Sequence, residues 1–200
     1  RLRPEIDFDI INPEIDERYR SYWQTYLSMT NRKGVTEQWA RLEMRRRHTL
    51  IGAMAIHKGD ADGMICGTFG STDLHLHYID QVLGKRAGVN TYAAMNALIL
   101  PDRQIVLVDT HVNENPTAEQ LAEITIMAAE EMRRFGLQPR AALLSHSNFG
   151  SSNSESAQKM RAALALLRER APDLEVDGEM HGDTAPVSYT HLTLPTILLV

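Results

Sequence analysis

Apolar residues recur along this chain in two alternating rhythms, helical stripes and short unbroken runs. Tyr19, Tyr22, Trp23, Tyr26 and Leu27 share one face of a helix predicted over residues 13–30, opened by Pro13. Such a stripe is ordinarily core packing. Gly34 stops that helix, Thr36 caps the next, and residues 37–47 are amphipathic, ending in Arg45, Arg46 and Arg47. Cations at a helix C-terminus offset its dipole, so this cluster is read as solvated. Residues 50–56, LIGAMAI, fit a helix buried against a sheet, leading into a short apolar strand at 64–67. Gly67 and Gly70 then turn the chain into Ser71 and Thr72, which cap a helix to about Val82.

The second half repeats the alternation more clearly. Residues 95–100 and 104–108 are apolar runs joined through Pro101 and Asp102, a hairpin by its turn chemistry. Asp109 follows at the carboxyl end of the second run. Thr117 and Gln120 fit a capping box with Pro116 just before the cap, and Leu121, Ile124, Ala128, Met132 and Phe135 mark the buried face behind it. Residues 141–144 are a buried strand entering the polar turn Ser145 to Ser152. The helix after that turn carries Met160, Ala163, Leu164 and Leu167 inward and ends before Pro172. A last strand is predicted at 174–176. Strands alternating with helices in this way predict an α/β fold with a largely parallel sheet.

Composition narrows the partners more than the fold. Of 200 residues, 43% are hydrophobic and 24% charged, with a net charge of −5, which offers nucleic acid or an anionic membrane no electrostatic attraction. The single cysteine, Cys66, excludes an internal disulfide and fits a reducing, cytoplasmic setting; within an apolar strand its thiol would be inert. Residues 186–200 carry no charge at all, and VSYTHLTLPT within them resembles a translated transposon-end sequencing adaptor. That tail is set aside as artificial in preference to a genuine terminal β-strand. The chain also begins without Met, as a piece of something longer would.

Three strand ends present polar groups that one edge of a parallel sheet would gather: Ser71 and Thr72; Asp109 with Asn113; and Ser145, Ser147, Asn148, Gly150 and Ser151. Two of these are hydroxyl-rich, glycine-containing helix starts, a pattern suited to phosphate or pyrophosphate. A metal centre is not expected. His75 and His77, two apart on a helix, point in different directions, and no Cys-x-x-Cys or His-x-x-x-His spacing occurs.

GDADGMICGTFGST, VDTHVNENPTAEQLA, LLSHSNFGSS and APDLEVDGEMHGDTA, in this order, resemble the phosphate acetyl/butyryl transferase family. NPEIDERYRSYW and GVTEQWARLEMRRRHTLIGAM are similar to the phosphotransacetylase-like region of large bacterial NADP-dependent malic enzymes. The resemblance spans residues 1–185. It implies a three-layer αβα, isocitrate/isopropylmalate dehydrogenase-like arrangement of two domains, truncated here, with subdomains at 1–90 and 91–185. It also implies an acyl-CoA and phosphate cleft that uses Ser71, Thr72 and the loop Ser145 to Ser152.

His77 stands where the transferases carry arginine, and a neutral imidazole lacks the two-pronged grip of a guanidinium. The family's catalytic Ser and Arg would lie beyond residue 185, so no catalytic residue is expected within the chain. By the same resemblance the parent is a malic enzyme using NADP and Mg2+ or Mn2+, bound outside this stretch. Its partners would be acetyl-CoA or another acyl-CoA, further copies of itself, and a malic enzyme module in the same chain. An active phosphate acetyltransferase is the alternative, and a ligand-free dimerisation domain a third reading.

Overall fold

A computed structural model describes residues 2–101 and 104–185, together with the backbone of 196–199. The chain divides into two compact units, Arg1–Arg86 and Ala87–Val200.

The first unit is helical: α1 (Arg18–Thr30), α2 (Glu37–Arg46), α3 (His48–Lys58) and α4 (Thr72–Val82). The aromatic stripe of α1 forms its core, with Tyr22, Trp23 and Tyr26 packed against Met44, Leu50 and Met54. Each buried tyrosine finds a partner for its hydroxyl, as burial demands. Tyr22 donates to Asp60 Oδ2 at 2.5 Å, Tyr26 to Gln81 Oε1 at 2.7 Å, and Tyr78 to Glu43. Burial, and then the bond to Asp60, push the Tyr22 hydroxyl up to about 12.

Several expectations need correction in this unit. α1 begins at Arg18, five residues after Pro13, because Asp16 Oδ1 accepts the Arg18 N–H at 2.9 Å and organises the start locally. α3 is buried against other helices and not against a sheet. Residues 64–67 form no strand: with no neighbouring strand to pair with, they run as an irregular loop whose Ile65 and Cys66 are exposed.

The second unit holds the sheet. Its elements are β1 (Met95–Ile99), β2 (Gln104–Val108), α5 (Ala118–Arg134), β3 (Arg140–Leu144), α6 (Glu155–Arg170), β4 (Glu175–Met180) and β5 (Thr196–Leu199), with strand order β1-β2-β5-β3-β4. β1 and β2 pair antiparallel, as the hairpin reading requires, and the other pairings are parallel. Asp102, in the hairpin turn, lies outside the described residues.

Alternation along the strands sorts the core. Val106, Val108, Ala141 and Leu143 face α5 and α6, while Ala142 and Met180 join a smaller cluster on the opposite face. α5 starts at the expected capping box, with Thr117 N–H donating to Gln120 Oε1 at 2.8 Å and Gln120 N–H to Thr117 Oγ1 at 3.2 Å. Phe135, assigned above to the buried face, is 72% exposed, because the helix ends at Arg134 and the chain leaves its spiral there.

β4 runs further than the apolar pattern indicated, through Met180. Gly178 makes that possible. A Cβ there would lie 2.8 Å from the Leu143 carbonyl oxygen, and its φ of 142° disfavours other residues. Thr196–Leu199 occupies the central position between β2 and β3, which is the strand reading of the tail; residues 186–195 lie outside the described residues.

Candidate functional site

In the first unit the loop of residues 64–70 lines an open-mouthed cavity of about 640 Å3. α4 contributes Leu74, His75 and Tyr78 to the wall, and the α2–α3 junction contributes Arg46, Arg47, His48 and Thr49. Ile51 and Met64 supply apolar surface, and Cys66 lies in the wall with its thiol exposed.

Thr49 Oγ1 sits 2.6 Å from His75 Nδ1, which holds the imidazole in place. His75 Nε2 is buried without a hydrogen-bond partner. The loop closes over it: a Cβ at Gly70 would lie 3.5 Å from that nitrogen and 3.4 Å from Leu74 Cδ2. Beneath, burial and the bond to Glu43 raise the Tyr78 hydroxyl well above the usual phenol range.

Of the residues singled out from sequence in this unit, Ser71 caps α4 by accepting the Leu74 N–H at 3.3 Å, and Thr72 opens the helix; both are exposed. His77 is exposed on a different side of α4 from Leu74, His75 and Tyr78, its ring edge-on to Tyr78 at 5.4 Å.

In the second unit the polar groups gather at the carboxyl ends of β2 and β3. Asp109 is buried and its carboxylate accepts the N–H groups of Ala94 (2.9 Å) and Asn113 (3.0 Å) and the Asn113 amide (2.5 Å). It therefore organises the turn after β2. Val108 and Leu143 both pair with Leu199. The two strand ends are thus two strand spacings apart, roughly 9–10 Å.

At the end of β3 the loop is organised around Glu179, which no sequence signal had singled out. Its Oε1 accepts the Ser147 hydroxyl at 2.8 Å, the Gly150 N–H at 2.9 Å and Arg161 Nη1 at 2.8 Å, while its Oε2 is buried without a partner. Burial pushes this carboxyl up, but the Gly150 N–H, Ser147, its own N–H and Arg161 outweigh it and hold Glu179 below the ordinary carboxylate range.

Ser147 Oγ also accepts the Ser152 N–H at 3.0 Å, and Ser151 Oγ accepts that of Asn148 at 3.0 Å. Ser145 Oγ accepts the Ser147 N–H at 3.3 Å, and Asn148 Oδ1 accepts the His181 N–H at 2.7 Å. The loop is gathered as expected, yet the anion holding it is a carboxylate of the chain itself. A carboxylate next to last in β4, in the half of the strand that is buried, was the available clue.

Among the described residues no three His, Cys, Asp or Glu side chains come together as a metal site requires. No described helix is long and apolar enough to cross a membrane.

An α/β unit with hydroxyl-rich strand ends and a helical unit with an amphipathic cavity agree with a match over residues 1–192 to the family described as phosphate acetyl/butaryl transferase; the chain belongs to that family. Within it, the chain is 54% identical over 187 residues to an NADP-dependent malic enzyme of Salmonella typhimurium, covering 94% of this chain and 25% of that protein. It is 36% identical over 176 residues to a phosphate acetyltransferase of Nitratidesulfovibrio vulgaris, covering 88% and 25% respectively. A phosphotransacetylase structure from Streptococcus pyogenes superimposes with a TM-score of 0.79 at 26% identity, over 96% of this chain and 62% of that one. The chain thus spans about a quarter of the length of these two sequence relatives.

Proposed function

We propose that this chain is the phosphotransacetylase-like region of a malic enzyme, in which it binds acyl-CoA and holds subunits together without transferring the acyl group. The parent would decarboxylate malate to pyruvate in the cytoplasm. NADP and a divalent metal would be held by a malic enzyme module of the same polypeptide. The higher identity to a malic enzyme than to a transferase, 54% against 36%, carries this reading.

Residue chemistry supports it. The cavity pairs apolar surface with cations, as an acyl-CoA requires. His77 replaces the arginine implied by the transferase resemblance, and an exposed imidazole cannot clamp a phosphoryl group in two places. The Ser147 loop is already occupied by Glu179.

Malate oxidation by the full-length protein, measured with and without acetyl-CoA, tests the proposal. A rate that responds, with no acetyl phosphate formed from acetyl-CoA and phosphate, is the expected result. Acetyl phosphate formation would instead establish the second reading, an active phosphate acetyltransferase, for which the family match speaks.

A further inference from the structure

We propose that Arg46, Arg47 and His48 form an anion subsite at the cavity of the first unit, taking the phosphoryl oxygens of a ligand whose apolar arm lies along Ile51, Met64 and Leu74. The proposal rests on the acyl-CoA reading of that cavity and assigns residues to it.

Charge carries the case first. Among the described residues the cavity wall contains no Asp or Glu, although the chain as a whole has a net charge of −5. A wall of one sign in a chain of the other selects for an oppositely charged ligand. Among the described residues Arg46 and His48 are exposed and make no ion pair. Arg47 is partly compensated, with Nε 3.4 Å from Glu43 Oε2, but that nitrogen makes no hydrogen bond.

Backbone geometry explains how three consecutive side chains reach one cavity. On a continuous helix, neighbours in sequence diverge by about 100° and could not share a wall. Here α2 ends at Arg46, Arg47 is extended (φ −109°, ψ 95°), and α3 begins at His48. The break redirects the chain at this point. Arg45, one residue earlier and still within α2, stacks over the Tyr19 ring at 5.2 Å and is not part of the wall. No side chain caps α3, so its first N–H groups add positive potential beside Thr49.

Free phosphate and the phosphates of an acyl-CoA share this chemistry, and two probes separate them. Cys66 lies exposed in the wall, and its alkylation by iodoacetamide reports occupancy. The rate is followed on the full-length protein by mass spectrometry of the peptide carrying Cys66, with acetyl-CoA in one series and inorganic pyrophosphate in the other.

Both probes are expected to slow alkylation of the native protein. Charge reversal in the double variant R46E/H48E should raise the half-protecting concentration about tenfold or more, the loss expected for charge-assisted contacts. Arg46→Ala should raise it several-fold, and Arg45→Glu, outside the wall, should leave it unchanged. Equal protection of native and R46E/H48E protein by acetyl-CoA would overturn the subsite and leave the acyl-CoA reading standing. Protection by pyrophosphate but not acetyl-CoA would keep the subsite and sink that reading. Protection by neither would end both.

Discussion

Glu179 is wholly buried, yet three donors converge on one of its oxygens, and this arrangement makes a pH-dependent contribution to stability. Its folded value lies below its unfolded value, so the stabilisation is present above about pH 4.3 and is lost as the pH falls through the lower, folded value. Glu179→Gln should cost about 1–3 kcal/mol at pH 7, the loss of charge-assisted bonds in a buried site. Urea unfolding at pH 7 and at pH 3.5 checks the sign: the gap between variant and parent should shrink in acid, and an unchanged gap would remove the carboxylate from this role. Gly178→Ala tests the backbone beside it. The new Cβ has no room against Leu143, and the expected loss is roughly 2–4 kcal/mol, read as a lowered melting temperature.

At the level of elements, helix starts that carry a side-chain cap were legible, unlike the uncapped start of α1, because caps act within four residues of sequence. Thr36, Ser71 and Thr117 each accept the N–H three residues on. Ser71→Ala should therefore destabilise the first unit by about 1 kcal/mol, measurable by thermal melting. If the acyl-CoA cleft also uses this hydroxyl, acetyl-CoA affinity should fall as well, and a titration separates the two effects.

The loop of residues 64–70 was legible only in part. Its glycines were read correctly as a turn before a helix, but its apolar residues were read as a strand. Apolar character alone does not distinguish a buried strand from a loop that lines a cavity. The basic run at 45–47 was read as solvated, and Arg45 and Arg46 are exposed; what local sequence does not carry is the chain break at Arg47, which brings Arg46 and Arg47 to the cavity wall.

At the scale of the whole molecule, the sheet of the second unit has its last strand in chain order at its centre. Thr196–Leu199 bridges β2 and β3, and without it each of those strands would present an unpaired edge. Deleting residues 196–200 should therefore lower the melting temperature and promote association, seen by thermal melting and light scattering. An unchanged monodisperse melt would show that this strand is dispensable. Four residues, with Thr196 and Ile197 of high β propensity, suffice to occupy such a slot, since the pairing is made by backbone groups.

Sequence by itself determined the alternation of helices and strands in the second unit, the hairpin, the caps and the family, because each is written in local periodicity or in a contiguous motif. The polar groups after β2 and β3 were also legible, since chain connectivity places them at strand ends. Only the tertiary structure decided what those groups do. Glu179 meets Ser147 from 32 residues away, Thr49 meets His75 from 26, and Arg46 and His48 reach one cavity through a break between helices. Such contacts depend on distance in space, which periodicity does not encode.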